Sequence, residues 1–265
     1  MSHSTMMALA TMVGAAAAGA DVPSYRVEYL GAGWTATAIN QSGDACGSVS
    51  PDGTALLGGV SRGGRPFELL PLPPGMRTSR AFDINDAGVI VGAVCPNQYV
   101  ITQPTAAVWR PTAGGYEVEV LGALPGDPYS SAYAINNLGD IVGGYEWVAG
   151  SGQQRGYLRH QGAFTSIDLP GATCTDPWGI NNSGQIVGRD CSNGGVPGGL
   201  FLFKDGNYTV LQVPNAAVIL WYQKINNVGQ IVGSYRDAQG VDHGFVATPE
   251  IQYRVTHLYD SSKAV

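Results

Sequence analysis

The side chains in this sequence best suited to chemistry fall into two groups. Asp83, Asp127, Asp176, Glu146 and Asp190 supply carboxylates on or near what the repeat pattern below makes one face. Two carboxylates across a cleft can act as acid and base, or as nucleophile and acid, in glycoside hydrolysis. Asp83 or Asp176, paired with Glu146, is the catalytic set the sequence nominates. Trp34, Tyr133, Trp178, Trp221 and Tyr222 form the second group. Their flat faces suit a sugar ring or another small ligand, and Arg80 with Asp176 would orient it. Packing between neighbouring strands is the competing reading for Tyr133 and Trp178. For Trp34, Trp221 and Tyr222, binding and packing both stay open.

Other chemistries find less support. No nucleophile elbow or Ser/His/Asp arrangement is expected: His243 opens a repeated strand, and His160 and His257 read as exposed. The run Asp83-Ile84-Asn85-Asp86-Ala87-Gly88 begins like a calcium loop but lacks the later acidic ligand. No Cys/His spacing suits zinc. Neither a metal nor a cofactor is therefore expected.

The groups are positioned by a repeat. Gly179-Ile180-Asn181-Asn182-Ser183-Gly184-Gln185-Ile186-Val187-Gly188 recurs with its Ile at 39, 84, 135 and 225. A spacing of about 45 residues marks an array of similar units. Each copy reads strand, turn, strand: Asn tolerates unusual backbone angles, Gly supplies a positive φ, and Ile-Val suits a pleated, buried strand. An aromatic run and an alternating run follow each hairpin, making four strands per unit. That is the size of a propeller blade. The sequence predicts an all-β, five-bladed β-propeller with antiparallel four-stranded blades. The fourth strand appears six times, once at 25–30 before the first hairpin and once at 252–255 after the last, which predicts ring closure by one terminal strand and so removes open sheet edges. The loops before each inner strand and after each hairpin then share one mouth of the ring. Arg80 with Asp83, and Lys224 at the position matching Asp83, could pair along the channel.

The Ile-Asn-x-x-Gly-x-Ile-Val-Gly element, with His243-Gly244-Phe245 and the Tyr-rich strands, resembles the bacterial extracellular HAF-repeat proteins over roughly residues 25–258. Other copies depart from the His-Gly-Phe tripeptide. The resemblance implies an exported β-rich array and no particular activity.

The chain has 265 residues, 38 of them Gly and 16 Pro, and a net charge of −6, suiting one turn-dense β domain. The acidic balance argues against nucleic acid as a partner. A small molecule or glycan is the expected partner, and the protein is expected to be a monomer without a membrane span. The apolar stretch before Asp21 resembles a signal peptide, although only His3 stands where Lys or Arg is usual. A disordered leader is the alternative. The expected division is a leader at 1–20, the propeller at 21–260 and a tail at 261–265, with export to a secreted or periplasmic location. Cys174 and Cys191 lie symmetrically about the 181–184 turn and are expected to form a cross-strand disulfide. Cys46 is expected to be a buried thiol. Besides a binding protein and a hydrolase, a structural or protein-interaction platform is a third reading.

Overall fold

The computed structural model describes residues 32–51, 53, 55–97, 103–122, 129–146, 154–192 and 199–250. It is an all-β five-bladed propeller of antiparallel four-stranded sheets. Blade 1 holds β1 (Trp34–Ile39), β2 (Ala45–Val49), β3 (Leu57–Ser61) and β4 (Glu68–Leu69). Blade 2 holds β5 (Thr78–Ile84), β6 (Ile90–Cys95), β7 (Thr105–Thr112) and β8 (Gly115–Val120). Blade 3 holds β9 (Tyr129–Ile135), β10 (Ile141–Glu146), β11 (Gln154–His160) and β12 (Ala163–Ile167). Blade 4 holds β13 (Thr175–Ile180), β14 (Ile186–Asp190), β15 (Gly199–Lys204) and β16 (Asn207–Gln212). Blade 5 holds β17 (Val218–Ile219), β18 (Lys224–Ile225), β19 (Ile231–Arg236) and the terminal described strand β20 (Asp242–Ala247).

The repeated Asn closes each hairpin and joins it to the next blade. In blade 4, Asn181 Oδ1 accepts from the amides of Ser183 and Gln185 at 3.1 and 3.0 Å. Gly184 follows at φ 75°, the left-handed residue of a three-residue hairpin. Asn181 Nδ2 then donates to the Asn226 carbonyl at 3.0 Å. Asn40, Asn85 and Asn136 donate to the next blade in the same way. The residue after each Asn adds a second link: the Asn137 amide donates to Asn182 Oδ1, and the Asn182 amide to Asn227 Oδ1, both at 2.9 Å. The Ile-Asn-Asx pattern is thus an interlock as much as a turn signal.

The core lies between the blades. Cys46, Val91, Val142 and Val187, at one repeat position, are all fully buried. Burying a valine side chain is worth about 1.5 to 3 kcal/mol. Cys46 is the expected core thiol, and burial pushes its pKa up to about 12.

Between blade 5 and blade 1 the pattern changes. Val232, equivalent to those four residues, is 46% exposed; Val246 beside it is 67% exposed, and Ile39 on blade 1 is 69% exposed. Asn226 Nδ2 donates within its own hairpin to Gln230 Oε1 at 2.9 Å. The runs at 25–30 and 252–255, expected to supply the closing strand, lie outside the described residues, as do the expected leader and tail.

Candidate functional site

The inner strands turn aromatic rings into the channel through a repeated irregularity. The pairing ladder skips Thr37 between Ala36 and Ala38, Phe82 between Ala81 and Asp83, Tyr133 between Ala132 and Ala134, and Trp178 between Pro177 and Gly179. Each is the extra residue of a β-bulge, two positions before the repeated Ile. A bulge bends its strand and re-aims a side chain. The bulge also accounts for the glycine that ends each motif. A Cβ on Gly47, Gly92, Gly143 or Gly188 would collide with the inner-strand carbonyls of Thr35, Arg80, Ser131 and Asp176 respectively.

The bulged aromatics meet. Tyr133 and Trp178 stack with centroids 4.0 Å apart and 18° between their planes. Phe82 presents an edge-type contact to Tyr133 at 5.7 Å and to Trp178 at 6.5 Å. A cavity of about 420 Å³ opens beside them, lined also by Thr35, Arg80, Tyr222 and Lys224.

Blade 5 completes the wall by breaking its own strand. Ile219 faces Tyr235 and Lys224 faces Val232, so four residues, 220–223, stand opposite two. Blade 4 places two residues opposite one at the same point. The further inserted residue splits the inner row into β17 and β18. Tyr222 sits in this break at φ 74°, left-handed backbone that costs a non-glycine residue about 1 to 3 kcal/mol. Its ring tilts against Trp178 at 4.8 Å and is more than half exposed. Such strain gathers at functional sites.

Charges frame the cavity. Arg80 lies over the Phe82 ring at 5.4 Å. Lys224 Nζ is 3.2 Å from Asp83 Oδ2, giving the channel ion pair with Lys224 in place of Arg80. Lys224 also lines a second cavity of about 360 Å³ at the hairpin end of the channel, which Asp83 shares. The pair therefore stands between the aromatic end and the asparagine end. Asp176 is buried against Arg189, whose Nε and Nη2 both approach Asp176 Oδ2 at 3.4 Å. Burial raises the Asp176 carboxyl; Arg189 and the nearby Trp178 indole oppose the shift. Asp176 Oδ1, Trp178 Nε1 and Gln223 Oε1 have no hydrogen-bond partner of good geometry, an uncommon state for buried polar atoms.

The expected site residues separate as follows. Arg80, Tyr133, Trp178 and Tyr222 come together at the cavity. Trp221, Asp83 and Asp176 are not among the residues lining it, and the Arg189 guanidinium lies 5.1 Å above the exposed Trp221 ring. Trp34 stacks on Phe67 at 4.1 Å and is not among the residues lining this cavity. Glu146 lines a different cavity, between blades 2 and 3, with Tyr129 and Tyr145. Tyr133 is common to both cavities. Asp127 lies outside the described residues. Phe82 and Lys224 complete the wall; sequence reasoning did not list Phe82, although its place two residues before Ile84 matches that of Tyr133 and Trp178.

Cys174 and Cys191 form the expected disulfide, with Cα atoms 4.8 Å apart. The hairpin holds one residue more than symmetric pairing allows, since Ile180 faces Ile186, and the bulge at Trp178 restores the register. The Gly-x-Ser-x-Gly spacing does occur once, at 59–63, correcting the expectation from sequence. It makes no strand-to-helix elbow: Ser61 ends β3, is buried, and donates to the Arg65 carbonyl. Among the described residues, no cluster of three His, Cys, Asp or Glu could hold a metal ion, and no helix is long and apolar enough to cross a membrane.

No family model matches the chain, and no curated protein matches it by sequence. Solved structures similar in shape include the following two. One is a gluconolactonase from Xanthomonas campestris, at 13% identity and TM-score 0.48, covering 80% of this chain and 70% of that one. The other is a mutant of AofleA from Arthrobotrys oligospora, at 13% identity and TM-score 0.47, covering 85% and 72%. Likeness at this level carries no argument about ligand or chemistry, so the site is read from its own residues.

Proposed function

We propose that this propeller binds a small molecule or glycan at the aromatic mouth of its channel. The observation behind this reading is the convergence of Phe82, Tyr133, Trp178 and Tyr222 on one cavity, with Tyr222 held in strained backbone. Bulk hydrophobic packing gives no reason to hold a large, half-exposed ring at positive φ. A stacking surface does. Arg80 and Lys224, which line the same cavity, supply directional groups. Export to a secreted or periplasmic location belongs to the same reading, supported by the disulfide and by the resemblance to HAF-repeat proteins.

Glycoside hydrolysis by Asp83 or Asp176 with Glu146 is the second reading. One observation favours it: burial raises the Asp176 carboxyl, the property a general acid needs. Against it, Asp83 and Asp176 are each engaged by a cation, and Glu146 lines another cavity.

The test is a thermal-shift screen of the protein against sugars, oligosaccharides and small aromatic compounds, since a ligand of the native state raises Tm by mass action. A shift with one chemical class, lost in Trp178→Ala, supports the binding site. Hits incubated with the protein and followed by mass spectrometry separate the two readings. Turnover that Asp176→Asn abolishes while binding persists makes the protein a hydrolase. A flat response across the screen returns the weight to an interaction platform.

A further inference from the structure

We propose that the ligand of the aromatic cavity is a sugar ring bearing a carboxylate, a uronic acid or its glycan, with Arg80 holding the carboxylate. The inference rests on the small-molecule reading and names its ligand class. The cavity wall carries two cations, Arg80 and Lys224, and no carboxylate. Lys224 is matched by Asp83 at 3.2 Å. Arg80 has no such match. Its guanidinium lies over the Phe82 ring, a contact that uses charge and closes no N–H···O bond. Among the described residues no carboxylate pairs with it, and no acceptor takes a hydrogen bond from its guanidinium.

The chain has a net charge of −6, yet Arg80 carries its charge on a cavity wall that holds no carboxylate. A planar guanidinium with five donors is built for a planar carboxylate, which it can hold through two parallel bonds. Next to it stand the rings of Phe82, Trp178 and Tyr222 and the side chain of Thr35. A pyranose acid presents the complement: one C–H face for the rings, hydroxyls for polar neighbours, and a carboxylate for Arg80. A cavity of about 420 Å³ lies in the range of small-ligand sites.

Isothermal titration against matched pairs tests this: glucose with glucuronate, galactose with galacturonate, and the short oligomers of each. The acid is expected to bind about tenfold or more tightly than its neutral twin, the difference one charge-assisted contact can supply. Arg80→Gln should erase that difference, so that acid and neutral twin bind equally, with an unchanged Tm reporting an intact fold. Arg80→Lys should restore part of it. Equal affinities within every pair, or a preference for the acid that survives Arg80→Gln, overturn the proposal while leaving the aromatic site standing. Benzoate binding as tightly as the uronates overturns the sugar class. No binding by any member of any pair overturns both the proposal and the sugar-binding reading beneath it.

Discussion

Lys224 Nζ stands 3.2 Å from Asp83 Oδ2, tying blade 5 to blade 2 across the channel. The two residues hold the same place in their repeats, immediately before Ile225 and Ile84. The Ile135 amide donates to the same carboxylate oxygen at 3.2 Å, and Lys224 Nζ also reaches the Tyr133 carbonyl at 3.5 Å. Three blades therefore meet at one partly buried pair, in addition to the asparagine links between neighbouring blades.

Breaking that pair should weaken the ring. Lys224→Met leaves Asp83 without its cation and is expected to cost about 1 to 2 kcal/mol. Asp83→Asn should act in the same direction. In a double-mutant cycle by chemical denaturation, the combined variant should lose less than the two singles added together. Strict additivity would mean that the contact contributes nothing.

Stability and binding should separate within the aromatic wall. Trp178→Ala removes a buried ring stacked on Tyr133 and is expected to cost about 3 to 5 kcal/mol. Tyr222→Asn gives up part of a contact with Trp178 but relieves positive-φ strain, because Asn tolerates this backbone. Its net effect should lie within about 1 kcal/mol of zero, while the ligand response is lost. A large destabilisation by Tyr222→Asn would make Tyr222 a packing residue.

The blade 5 to blade 1 junction should be the weakest. Val187→Ala, at a fully buried position, is expected to cost about 2 kcal/mol or more. Val232→Ala, at the equivalent position in blade 5, should cost under about 1 kcal/mol. Amides of β19 and β20 should exchange with solvent faster than those of β10, as expected where few apolar contacts are buried. Equal protection across the five blades would contradict this gradient.

Asp176 should leave a signature in the pH dependence of stability. Its folded carboxyl is raised above the ordinary 3.8, so the folded state holds this proton more tightly than the unfolded state. The contribution therefore favours folding at low pH and is lost as pH rises from 3.8 through the raised value. Asp176→Asn removes that slope. The Tm of the unmutated protein minus that of Asp176→Asn should fall with rising pH across this window. A difference that grows with pH would reverse the assignment.

Much of the architecture was legible because it repeats. Asn181 and Gly184 specify a hairpin by local backbone chemistry, and that chemistry recurs in every copy. Cys174 and Cys191 could be paired because hairpin geometry is local. The candidate site was legible only in part. Arg80, Tyr133, Trp178 and Tyr222 were placed near one mouth, yet Trp34 turned to Phe67 and Glu146 to another cavity. A strand alternates its side chains, so one extra residue changes which way a ring points. The sign of that extra residue was present in the glycine closing the first four motifs, which leaves room for the inner-strand carbonyl two residues before the bulge.

By itself, then, the sequence determined the blade count, the hairpins and the covalent crosslink, since each follows from contacts between residues close in the chain. The tertiary structure decided which rings stack, that Lys224 answers Asp83, that Arg80 is left without an anion, and that Val232 stays exposed where Val187 is buried. Those facts join residues from different blades. They depend on the bulges and on the closing of a ring, whose geometry is set by the packing of all the blades together.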